Sequence, residues 1–139
     1  MNRDTQMLQR ICQSAQLGQN DIRAVIKKVR NPAMQQALSS QLGEYAAIHH
    51  QAKRLLADRG QSEKRIPGIL LAVSRMETGR RIAGKASACA IAEWMIENHS
   101  RMILQSRGKL PLDPKVSTLS NRLLQTAQEN IAQMTPFLS

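Results

Sequence analysis

Leu8, Ile11, Ala15, Gly18, Ile22, Val25 and Val29 follow one another at alternating intervals of three and four residues. That spacing keeps side chains on one stripe of a helix packed against near-parallel partners, and it predicts a first long helix from Thr5 to Arg30. Asn31-Pro32 marks the next start, since Asn caps a helix and Pro tolerates its first position, where the missing N–H has no helical partner. A second long helix follows through Leu38, Leu42, Tyr45, Ile48, Ala52 and Leu55 to Gly60, where glycine suits the left-handed residue that closes a helix. The first two helices therefore form a hairpin.

Beyond a polar stretch at 61–65 and Ile66-Pro67-Gly68, the apolar positions Leu70, Val73 and Met76 predict a short helix over 69–80. It is too short to match its neighbours and reads as a crossover, with a bend or break expected between Gly79 and Gly84 because each interior glycine costs about 1 kcal/mol relative to Ala. A third long helix is expected over 85–107, ending at Gly108. A fourth opens at Asp113-Pro114 and carries Val116, Leu119, Leu123, Ala127, Ile131, Met134 and Phe137. Residues 60–68, 108–113 and the first few residues are the candidate flexible segments. The expectation is an all-α, up-and-down four-helix bundle with a crossover helix between its second and third long helices, and a single domain over 1–139.

Composition sharpens this picture. With 42% hydrophobic residues and one each of Trp, Tyr and Phe, the chain has few of the residues that build sheets. Cys12 and Cys89 have no Cys-x-x-Cys spacing and read as small buried thiols, which fits a reducing compartment. No apolar run approaches the length of a membrane span and the first twenty residues are too polar for a signal peptide, so a soluble, cytoplasmic protein is expected.

Two segments carry a resemblance. Residues 90–96 (Ala-Ile-Ala-Glu-Trp-Met-Ile) and 128–134 (Gln-Glu-Asn-Ile-Ala-Gln-Met) resemble the third and fourth helices of a family of uncharacterised bacterial bundles with a ferritin-like fold. The break at Val29 to Pro32 and the ending Leu55-Leu56-Ala57-Asp58-Arg59-Gly60 look like that family's opening hairpin. The resemblance implies a ferritin-like four-helix bundle and no enzymatic activity that can be assigned to named residues.

A ferritin-like bundle raises the question of a di-iron centre, which takes a Glu from each of two helices and a Glu-x-x-His pair from each of the others. The residues three places after Glu44, Glu93, Glu97 and Glu129 are Ala47, Ile96, Ser100 and Ala132. The di-iron pattern is absent. A degenerate mononuclear site from Glu44, His49, Glu93, Glu97 and His99 remains a weaker alternative. The blander reading makes Glu93, Glu97 and Arg101 a solvated face and His49 a boundary histidine. Neither cysteine has an activating group supplied by the local sequence, and Gly-x-Ser-x-Gly and phosphate-loop motifs are missing. Neither catalysis nor a cofactor is expected.

Charge adds one more candidate. The chain carries 20 Lys and Arg against 10 Asp and Glu, with nine cations and three acids between 53 and 85. Arg59, Lys64, Arg65, Arg80, Arg81 and Lys85 form a possible polyanion-binding set, although scarce aromatics argue against stacking on single-stranded nucleic acid. The predicted third long helix has apolar residues on two faces, with Ala86, Cys89 and Ile96 on one and Ile91, Met95 and Met102 on the other. The crossover helix or a second chain would cover the extra face. The function read from sequence is a non-catalytic structural or interaction protein that self-associates as a homodimer through that third helix, with non-specific polyanion binding and degenerate metal binding as alternatives.

Overall fold

The computed structural model describes residues 3–82, 91–93, 95–96 and 113–138. Helix α1 spans Arg3–Ile26, α2 Pro32–Asp58, α3 Gly68–Ile82 and α4 Pro114–Met134, followed by a 3-10 turn at Thr135–Leu138. The described residues at 91–93 and 95–96 are also helical, and no strand occurs among the described residues. α1 packs against α2, α3 and α4, and α2 packs against α4. The stripe read from the sequence is buried as expected: Leu8, Ala15, Ile22 and Val25 are fully enclosed, facing Leu38, Tyr45, Ile48 and Ala52 of α2 and Leu119, Leu123 and Ala127 of α4 within one core.

α1 stops at Ile26, four residues before its expected end. Val29 remains in the core, but it does so from a turn in which Lys28 N–H donates to Val25 O and Val29 N–H to Ile26 O. The physical reason lies just downstream. A residue preceding Pro is disfavoured from the helical region, and Asn31 is extended at φ −71°, ψ 117°. Its side chain accepts from Ala33 N–H at 2.9 Å and Met34 N–H at 3.2 Å, capping α2 with Pro32 at the first position.

The other end of α2 closes in a Schellman arrangement. Gly60 stands at φ 70°, its N–H donates to Ala57 O, and Gln61 N–H reaches back to Leu56 O. α4 opens as expected, with the Asp113 side chain accepting from Lys115 N–H at 2.9 Å.

Two expectations change. α3 runs through Gly79 to Ile82, so the helix absorbs this glycine without the expected break there; Gly84 lies outside the described residues. The connection over 61–67 is irregular but tied down. Gln9 of α1 donates from Nε2 to Ser62 O and accepts at Oε1 from Lys64 N–H, both at 2.8 Å, so one buried side chain satisfies two backbone groups of a segment that makes no ladder of its own.

Most of the expected third long helix lies outside the described residues, including Ala86, Cys89 and Met102. In its described part, Ile91, Ala92 and Met95 are buried and Ile96 is half-buried against the core. No helix among the described residues is long and apolar enough to cross a membrane.

Candidate functional site

α3 turns its most apolar residues away from the bundle. Ile69 is 73% exposed, Leu70 57%, Val73 53% and Met76 68%, at helical spacings that set Ile69, Val73 and Met76 on one ridge. Among the described elements α3 contacts α1, and the ridge is exposed; the expectation that this crossover covers the third long helix falls mostly on residues outside the described ones. Helical periodicity showed that these positions share a face. It carried no signal of which way that face turns. Glu77, one turn beyond Val73, borders the ridge and is exposed, and Lys64 and Arg65 are exposed at its leading end.

At the opposite end of the 61–67 connection the polar groups converge. Glu63 meets His49 at 2.7 Å from Oε2 to Nε2, and Lys53 Nζ stands 3.7 Å from Oε1. Gln19 of α1 lies on the other ring nitrogen, with Nε2 at 3.3 Å from His49 Nδ1 and also donating to Ala15 O. Cys12, fully buried one turn from Gln9 on α1, completes the group. Burial, and then the nearby Glu63 carboxylate, push its thiol up to about 12, against the weaker pull of Lys53. A thiol held protonated in this way is not poised as a nucleophile. Local sequence gave no imidazole to Cys12; the α1–α2 hairpin supplies His49 from 37 residues away.

The remaining sequence candidates are dispersed. Glu44 is exposed and pairs with Arg122 of α4 at 3.4 Å, five residues from His49 and on a different face of α2. Glu93 is exposed, while Glu97 and His99 lie outside the described residues. Of the polyanion set, Arg59 is engaged within the fold, where its guanidinium lies 3.8 Å from Asp4 and 3.9 Å from Asp113 and donates to Leu55 O. Lys64 and Arg65 are exposed, the side chains of Arg80 and Arg81 are not among those described, and Lys85 lies outside the described residues. Tyr45, fully buried in the core, has its hydroxyl beside Asn130 of α4, and burial raises its pKa.

No protein-family model matches the chain, and no curated protein matches it. The architecture is similar to the crystal structure of a DUF305 fragment from Deinococcus radiodurans, with a TM-score of 0.75 over 99% of this chain and 96% of that one. At 15% identity the likeness shows the fold alone: an all-helical arrangement shared with a domain of unknown function.

Proposed function

We propose that this protein is a non-catalytic interaction module that self-associates through the exposed ridge of α3, in a bundle of ferritin-like layout without di-iron ligands. The carrying observation is that Ile69, Leu70, Val73 and Met76 are each more than half exposed on consecutive turns of one helix, while the core of the same molecule is closed to water. An apolar ridge of this kind costs free energy in water and gains it when a matching surface covers it.

A second copy packed antiparallel supplies such a surface. A two-fold axis level with Leu71 sets Ile69 against Val73 of the second copy. It also brings Glu77, the acid nearest the ridge, toward the leading end of the second copy's α3, where Arg65 is exposed. The self-association expected of the third long helix is thus assigned to α3 instead. Polyanion binding is less favoured, because Arg59 is already held by two carboxylates.

Sedimentation equilibrium of the full chain tests this reading. Association to twice 15.5 kDa is expected, reverting to the monomer mass in a Val73→Glu/Met76→Glu variant with unchanged helical circular dichroism. Arg65→Glu and Glu77→Arg should each weaken association severalfold, and together restore it, because an exposed charge pair contributes about 0.2–1 kcal/mol. A monomer mass up to the solubility limit overturns the proposal. If that monomer also binds duplex DNA with a steep salt dependence, the polyanion alternative replaces it.

A further inference from the structure

The geometry points to a site for one zinc-class divalent cation formed by Cys12, His49 and Glu63. One ligand atom from each of the three residues lies within 4.8 Å of the other two, and the three come from α1, from α2 and from the connection between α2 and α3. Donors around a tetrahedral zinc ion stand about 3.3–3.7 Å apart, given metal–ligand lengths of about 2.0–2.3 Å. The His49–Glu63 contact of 2.7 Å therefore has to open by about 0.6 Å to admit the ion, since nitrogen and oxygen donors take the short end of that range. The thiol approaches by a similar adjustment on a helix whose backbone need not move.

The donor set selects the metal. One sulfur, one imidazole nitrogen and one carboxylate oxygen suit Zn(II) and its substitute Co(II). Calcium and magnesium require oxygen ligands throughout, and a carboxylate is a poor partner for Cu(I). Charge also closes: a dication bound by one thiolate and one carboxylate leaves no net charge at a site where Cys12 is fully enclosed, whereas an unmatched charge there would be costly. On binding, the thiol proton leaves to solvent.

The neighbouring groups fit this role. His49 and Glu63 keep 18% and 17% of their side chains exposed, enough for an ion to enter and for water to take the fourth position. Lys53 is 52% exposed at 3.7 Å from Glu63. It serves as the cation beside Glu63 until the metal arrives and is free to swing out. Coordination through His49 Nε2 puts the ring proton on Nδ1, where Gln19 can accept it by presenting its amide oxygen, so the residue already against that nitrogen orients the ring.

Co(II) titration of the full-length protein under reducing conditions tests the site. One equivalent is expected to saturate a thiolate-to-cobalt charge-transfer band together with intense tetrahedral ligand-field absorption, and Zn(II) should displace it. Cys12→Ala should abolish the charge-transfer band, and Glu63→Gln and His49→Gln should each weaken binding at least tenfold. Lys53→Ala should leave binding unchanged or tighter, and His50→Ala, on the exposed side of α2, should leave it unchanged. Glu63 lies on an irregular segment, so Glu63→Gln reports on the site even where a core variant loses stability. Absence of a saturable band, or a band that survives Cys12→Ala, overturns the proposal.

Discussion

Cys12 shows how one buried side chain links fold and pH response. Its thiol holds its proton up to about 12, against an ordinary value of 9.0, so the folded state retains a proton that the unfolded chain releases earlier. The resulting stability is fully present below about pH 9 and is lost progressively as pH rises toward 12. Denaturant titrations at a series of alkaline pH values should show wild-type stability falling more steeply than that of Cys12→Ala. Tyr45, whose pKa is also raised by burial, contributes equally to both curves and cancels in the comparison. Tyr45→Phe tests the second buried polar contact. Removing the hydroxyl beside Asn130 should destabilise the fold by about 1–3 kcal/mol in chemical denaturation, because the buried Asn130 side chain would lose its partner.

At the scale of elements, the ends of helices are where local sequence speaks most directly. Asn31 caps α2 through two backbone N–H groups, and Asn31→Ala should cost about 1 kcal/mol in thermal or denaturant unfolding. Gly60, at φ 70°, should tolerate Ala less well than its open surroundings suggest, since a Cβ in the left-handed region costs about 1–2 kcal/mol whatever space surrounds it. The connection after it depends on a distant residue. Gln9→Ala removes both hydrogen bonds that fasten Ser62 and Lys64. Limited trypsin digestion is expected to cut at Lys64 and Arg65 markedly faster in that variant, with the helical core left intact. Composition marked this stretch as polar and irregular. Its attachment to α1 was not legible, because nothing in a solitary Gln distinguishes one that bridges a loop from one that faces water.

For the whole molecule, Arg59 draws three chain regions to one end of the bundle: the first turn of α1 through Asp4, the end of α2 on which it sits, and the cap of α4 through Asp113. Asp113 N–H also donates to Asp4 at 3.0 Å. Partly exposed pairs of this kind contribute at most about 1 kcal/mol and are screened by salt. Arg59→Gln should therefore lower the melting temperature modestly at low ionic strength and still less in molar salt, a difference that scanning calorimetry at two salt concentrations can measure. The same engagement takes Arg59 out of the set of cations free to meet a polyanion.

The sequence by itself determined the helical class, the two capped starts at Asn31 and Asp113, the closure at Gly60 and the buried stripes of α1, α2 and α4. Each follows from interactions within about one helical turn, or from a periodicity that any core-facing helix must satisfy. Only the tertiary structure decided that the apolar ridge of α3 faces solvent and that Arg59 is held by two carboxylates. It also decided that Cys12, His49 and Glu63 meet. Those outcomes depend on the rotation and height of one helix relative to another, and residues 37 and 14 positions apart in the chain become neighbours only when the hairpin closes and Gln9 draws the connection against α1.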